Sequence, residues 1–244
     1  MPRGTIIGDI TRRTTIYRVF PRNRFFELFG KRQNALVWPT KWEDPFENFI
    51  LRSPVKRSNG EIGDIAFHDD VYGQCWTLHK ASDAMWRIYS PGKDAVRIRT
   101  TVGRLLDSLC SANKGMENDS CFIGRVTYPN EAGLRKFART VFKDDLSARS
   151  VANSLLVKRS AFEHEKEVRL VYFEGSSAVH KNGVYKYPLD PHKVFDQVMI
   201  DPRMTYKDYR SFKDEIVAKT GFDEKRIKRS LLYRPPDDFI VMIP

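Results

Sequence analysis

Cysteine pairs, histidine pairs and long apolar runs are all missing from this chain. Its three cysteines, Cys75, Cys110 and Cys121, are far apart and form no C-x-x-C step. That excludes the usual zinc and dithiol redox patterns and reads as reduced, buried thiols. The five histidines show neither H-x-x-x-H nor H-E-x-x-H spacing, so a metal is not expected. No apolar run approaches the length of a transmembrane helix, and the opening MPRGTIIGDITRR lacks the apolar core of a secretory signal. The expectation is a cytoplasmic protein. Repeats, low-complexity tracts and linkers are absent too, which leaves one mixed α/β domain over residues 1–244 as the economical organisation.

What the chain does have is length, apolar content and positive charge. At 244 residues with 41% hydrophobic side chains it can bury a sizeable core. Its formal net charge of +11 comes from 42 Lys and Arg against 31 Asp and Glu. The excess is spread over residues 1–34, 134–160 and 203–234 rather than held in a tail. Such a balance suits a phosphate-bearing ligand or a nucleic acid, although basic surface also serves solubility alone.

Periodicity predicts alternating strands and helices. Strands are expected at Thr14–Phe20, Ala35–Trp38, Val71–Leu78, 95–100, Cys121–Tyr128, Val168–Phe173, Val194–Asp201 and over RIKRSLLY. Helices are expected at Phe25–Gly30 with Gly30 as C-cap, after Ser82 or Asp83, over Val102–Cys110, from Glu131 to about Ser160 with a break near Ser147, and on Tyr206, Tyr209, Phe212 and Ile216 ahead of Gly221. In WEDPFENFI, Asp44 before Pro45 reads as a helix start, with Phe46, Phe49 and Ile50 as its buried stripe. That turn has a structural reading first, and Glu47 is also a candidate to face a pocket. Residues 53–70 read as a polar loop or hairpin tip, and the apolar tail DDFIVMIP as docked. The fold class is mixed α+β, a mostly antiparallel central sheet flanked by helices.

The chemistry concentrates in VKRSAFEHEKEVRLVYF, Val157–Phe173, where a charged turn runs into an apolar strand. Strand alternation puts Glu165, Glu167 and Arg169 on one face. The plain reading is a solvated strand end with a cross-paired arginine. The sharper one is a carboxylate pair whose repulsion raises one pKa and whose charge steadies a cationic transition state. Trp86 and Tyr89 have the spacing of core residues, and aromatics beside a strand mouth can also sandwich a planar ring.

The combination IYR, WEDPFE, CWTLHKASDAMWRIY and EHEKEVRLVYF, running from about Tyr17 to about Tyr233, resembles a widespread bacterial family of unknown function. More distantly, the order of an arginine on a first strand, a hydroxyl residue on a middle strand and a later E-x-E resembles the R-S-E class of ADP-ribosyltransferases. That resemblance implies a mixed α/β fold and NAD as substrate. Arg18 would hold the NAD phosphates or ribose, and Thr77 would replace the usual serine. Glu167 would steady the ribosyl cation and Glu165 would serve the acceptor, while Trp86 or Tyr89 would stack on nicotinamide. Two departures stand out: C-W-T replaces S-T-S, and the separation from Thr77 to Glu167 demands an inserted helical layer.

Three readings of function follow. The first is an NAD-consuming enzyme that transfers ADP-ribose or hydrolyses NAD, as a bacterial toxin or anti-phage effector, with nucleic acid as a candidate acceptor and an inhibitor or antitoxin protein as a candidate partner. The second is a nucleic-acid-binding protein without chemistry, its basic segments contacting phosphate. The third is a metal-dependent nuclease in which Glu165, Glu167 and Asp69 or Asp70 hold magnesium, with Lys166 near the scissile phosphate.

Overall fold

The computed structural model describes residues 4–42, 45–56, 59–64, 69–115, 117–174, 182–234 and 240–243. In chain order the first elements are β1 (Thr5–Ile7), β2 (Thr15–Phe20), α1 (Arg22–Lys31), β3 (Gln33–Val37), α2 (Phe49–Arg52), β4 (Val55–Lys56) and β5 (Ile62–Gly63). The middle of the chain holds β6 (Val71–Thr77), α3 (Asp83–Tyr89), β7 (Val96–Thr101), α4 (Val102–Ala112), α5 (Glu117–Ser120), β8 (Cys121–Arg125), α6 (Glu131–Thr140) and α7 (Ala148–Ser154). It ends with β9 (Glu167–Phe173), β10 (Val184–Pro188), α8 (Pro191–Val194), β11 (Gln197–Ile200), α9 (Tyr206–Thr220) and β12 (Ile227–Arg229).

A ten-stranded sheet runs β1-β8-β9-β6-β2-β7-β11-β12, with β3 joined to β6 and β10 joined to β3. Among the described strand pairs of this sheet the outer ones, β1/β8 and β11/β12, are parallel and the rest antiparallel, so the mostly antiparallel sheet flanked by helices is as expected. β4 and β5 form a separate small hairpin in the polar 53–70 stretch.

Strand alternation sorts the core. Ile16, Phe20, Trp76, Ile98, Val168 and Leu170 face α1, α4, α8 and α9 on one side. Leu105, Leu106 and Leu109 of α4 are fully buried there, each contributing about 1.5–3 kcal/mol by leaving water. On the other side Val71, Phe122 and Val171 pack on Val151 and Leu155 behind α7, and Val19 packs on Trp86 of α3.

The feature that positions the site is a parting of the sheet. Among the described residues β2 meets β6 only at Tyr17↔Thr77, and β3 meets β6 only at Val37↔Gly73. Between those two positions the edge of β6 has no strand beside it. The Arg18 guanidinium instead donates to the Cys75 carbonyl, replacing a missing ladder bond with a side chain.

Several local expectations shift. Helix α1 continues past Gly30, and its left-handed cap is Arg32 at φ 49°. The WEDPFENFI segment is a 3-10 turn, Pro45–Asn48, before α2; Asp44 lies outside the described residues. Helix α6 buries none of its side chains fully, so Leu134 and Phe137 are half-buried rather than core. The stretch from Thr77 to Glu167 inserts two strands, β7 and β8, as well as helices. The described part of the apolar tail, Ile240, Val241, Met242 and Ile243, is exposed rather than docked; the rest of DDFIVMIP lies outside the described residues.

Candidate active site

The parting of the sheet opens a cleft of about 760 Å³, lined by Tyr17, Arg18, Gly73–Thr77, Tyr89, Lys158, Glu165, Glu167 and their neighbours. Its floor is built by the turn before β9. Residues Ser160–Glu165 form a 3-10 turn, and Lys166 takes a left-handed conformation at φ 44° and ψ 56°. A non-glycine residue there costs about 1–2 kcal/mol. Two bonds hold it: Leu78 N donates to the Lys166 carbonyl at 3.0 Å, and the Thr77 hydroxyl donates to the Glu165 carbonyl at 2.6 Å. Glu165 therefore reaches the cleft from a turn, not by strand alternation; only Glu167 and Arg169 share a strand face as expected.

Five buried charges meet at this point. Lys158 Nζ lies 2.6 Å from Glu165 Oε2, 2.6 Å from Glu47 Oε1 and 3.5 Å from Glu167 Oε1. Arg169 donates through Nε to Glu167 Oε2 at 2.8 Å, and its Nη2 is 2.7 Å from the same oxygen and 3.2 Å from Glu47 Oε1. Its Nη1 donates to the Leu155 carbonyl at 2.6 Å, and the Trp42 ring covers its guanidinium at 4.6 Å. The Tyr128 hydroxyl accepts from Glu167 N at 2.7 Å. Each partner offsets a desolvation cost that none of these charges would survive alone.

The two central carboxyls are driven apart. Burial, a hydrogen bond to Glu167 and its charge push Glu165 up to about 7. Burial also pushes Glu167 upward, but Arg169 and Lys158 outweigh it and hold the group below the usual carboxylate range. Glu167 is thus a fixed anion and Glu165 a group that gains and loses a proton near neutrality. Burial raises Glu47 as well.

The residues singled out from sequence do not all converge. Arg18, Thr77, Tyr89, Glu165 and Glu167 line the cleft. Arg18 has a buried Nε with no hydrogen-bond partner. The Thr77 hydroxyl is committed to the backbone, donating to Glu165 and accepting from His79 N at 3.1 Å, so it shapes the turn. Trp86 is 2% exposed and packs on Val19 and Ala95; no ring can stack on it, because its helix face is pressed on β2. Tyr89, 39% exposed, is the aromatic of that pair at the cleft. Glu47, from sequence only a candidate to face a pocket, joins the site; Lys158 lies in the charged Val157–Phe173 stretch without a pattern that gives it a role, and Tyr128 carries no sequence signal.

The magnesium arrangement is not assembled. Asp70 precedes Val71, whose ladder partner is Phe173, whereas the cleft lies at the opposite end, where Thr77 pairs with Glu167. Lys166 is exposed and does not line the cleft. Carboxylate oxygens of Glu47, Glu165 and Glu167 do lie within 4.8 Å of one another. The Lys158 ammonium sits among them at hydrogen-bond distance from Glu47 and Glu165, taking the position a metal ion would need.

The model of a family described as a protein of unknown function (DUF2971) matches residues 85–170. This bears out, over that stretch, the resemblance to a family of unknown function. No curated protein matches the chain. Among solved structures it is similar to DarT of Thermus sp. 2.9 in complex with ADP-ribosylated single-stranded DNA, at 9% identity and a TM-score of 0.42 over 94% of this chain and 98% of that one. The same protein in complex with NAD+ matches at 8% identity and a TM-score of 0.41, over 91% and 98%. Its complex with carba-NAD+ matches at 10% identity and a TM-score of 0.38, over 89% and 96%.

Proposed function

We propose that this protein is an NAD-consuming enzyme of ADP-ribosyltransferase type. The observation that carries the reading is the divided carboxylate pair: a fixed anion, Glu167, beside a titrating carboxyl, Glu165, in a cleft that Arg18 enters from the opposite strand. The cleft volume of about 760 Å³ falls in the usual range for small-molecule sites, roughly 300–1,000 Å³.

In this mechanism the bond between nicotinamide nitrogen and ribose C1′ breaks, and its electron pair leaves with the ring as neutral nicotinamide. Positive charge then develops on the ribose, and Glu167 stabilises it. A water or acceptor hydroxyl attacks C1′ and passes its proton to Glu165. Arg18 clamps the phosphates with its guanidinium, and Tyr89 flanks the nicotinamide ring. Lys158 and Arg169 keep Glu167 ionised. The distributed positive charge favours a polyanionic acceptor such as nucleic acid. NAD consumption of this kind suits a toxin or anti-phage effector in the bacterial cytoplasm, restrained by an inhibitor protein.

The deciding experiment is to incubate the protein with NAD and measure free nicotinamide, with and without candidate acceptors. Glu167→Gln keeps shape and removes charge, so turnover should fall about a hundredfold or more with little change in NAD affinity. A wild-type protein that releases no nicotinamide under any acceptor condition, or a fully active Glu167→Gln variant, overturns the proposal.

A further inference from the structure

The E-x-E pair sits against two cations, so by itself it has no negative charge to spare. Glu165 and Glu167 together carry two charges when ionised, and Lys158 and Arg169 carry two of the opposite sign. All four side chains are almost wholly enclosed. A neutral quartet is a poor partner for a developing ribosyl cation. The fifth member changes the arithmetic. Glu47 reaches the quartet from the 3-10 turn Pro45–Asn48, and a single oxygen, Oε1, touches both cations, Lys158 Nζ at 2.6 Å and Arg169 Nη2 at 3.2 Å.

We infer that Glu47 is a positioning residue: one oxygen of its carboxylate holds both Lys158 and Arg169, so neither cation is given over wholly to Glu165 and Glu167, and the cluster has one carboxyl more than it has cations. The consequence for turnover rests on the NAD chemistry proposed above; the charge balance itself does not.

The other groups facing Glu165 and Glu167 add no further hydrogen-bonded charge to the cluster. Cys75 on β6 is pushed up to about 12 by burial. Tyr89 on α3 and Tyr128 after β8 are raised by burial as well. All three stay neutral across the working range. Arg18, the further cation across the cleft, donates to the Cys75 carbonyl and acts on Glu167 through its charge alone, in wild type and Glu47 variants alike. Within the contacting cluster three carboxyls face two cations, and removing Glu47 turns that excess to a match.

Glu47→Gln tests this with its shape nearly kept. The first readout needs no substrate: the Glu165 titration followed by carbon NMR on glutamate-labelled protein, assigned by the signal lost in Glu165→Gln. Its midpoint should fall from near neutrality by a pH unit or more, because the third negative charge is gone and Lys158 turns wholly to Glu165. The second readout is nicotinamide release. kcat should drop about tenfold or more with KM little changed, and the rise in rate around neutrality should move to lower pH. Glu47→Asp should recover part of both. The third is a double variant: adding Lys158→Met to Glu47→Gln removes one cation and restores the excess, so it should turn over faster than Glu47→Gln alone. A packing role for Glu47 predicts the opposite, since the double variant then loses two supports. An unmoved Glu165 midpoint, or a double variant as slow as the single one, overturns the inference. If the wild type releases no nicotinamide the proposed reaction fails, and the titration alone then decides the charge balance.

Discussion

The Thr77 hydroxyl and the Glu165 carbonyl, 88 positions apart in the chain, are joined by a buried hydrogen bond of 2.6 Å. The bond ties the end of β6 to the turn that delivers Glu165. Thr77→Val keeps the shape and leaves that carbonyl unpaired, which should cost about 1–3 kcal/mol in urea unfolding. Thr77→Ser keeps the donor and should lose clearly less. A Thr77→Val variant as stable as wild type would show that the hydrogen bond contributes nothing.

The raised Glu165 makes stability depend on pH in a stated direction. Its folded pKa of about 7 lies above the ordinary glutamate value of about 4.3. The folded protein therefore binds that proton more tightly than the unfolded chain. Its contribution is fully favourable below about pH 4 and is lost as pH rises toward 7. Glu167 acts in the opposite sense: held low, it contributes stability above the unfolded value that disappears as pH falls through its folded one. Urea midpoints of wild type and Glu165→Gln, compared from pH 4 to 8, should show the wild type losing ground as pH rises. A constant difference would contradict the shift.

Gly73 is required for space. A Cβ built there would meet Trp42 Cζ2 at 2.4 Å, and Trp42 is the ring that covers Arg169. Gly73→Ala must displace the indole, an overpacking that typically costs about 1–3 kcal/mol. Thermal unfolding should show the loss, and a shift in tryptophan fluorescence should report the moved ring. An alanine variant as stable as wild type would mean that the indole has room to yield.

Arg18 has the geometry of a clamp, with one nitrogen on the Cys75 carbonyl and a buried Nε left over. Arg18→Ala should weaken NAD binding in calorimetry by about tenfold or more, through the loss of charge-assisted hydrogen bonds to phosphate. Arg18→Lys should recover only part, since an ammonium cannot form the same fork. NAD affinity unchanged in Arg18→Ala would remove Arg18 from the site.

The net charge of +11 makes a prediction about a polyanionic partner. Affinity for single-stranded DNA or RNA should fall by about 300-fold between 50 and 200 mM salt if about six phosphates are neutralised. Binding indifferent to salt would point away from phosphate contacts.

Much of the architecture was legible from local pattern, because the periods of helix and strand are local. β2, β6, β7 and β9 fall where alternating apolar residues put them, and α4 follows its leucines. The polar residues standing out in apolar strands, Arg18, Thr77 and Glu167, do line one cleft. The tertiary structure decided the rest. Glu47 and Lys158 lie in stretches that stand out in the sequence, but no local pattern pairs them with the two glutamates, and they reach Glu165 and Glu167 only because the strand order brings β9 beside β6 with α2 and α7 packed on that face. The separate fates of Trp86 and Tyr89, three residues apart on one helix, follow from which side of α3 meets β2. The opposite shifts of Glu165 and Glu167 depend on where Lys158 and Arg169 come to rest. A sequence states which side chains carry charge; how those charges divide a proton depends on distances of a few ångströms, and those exist only once the sheet has parted and the turn at Lys166 has closed.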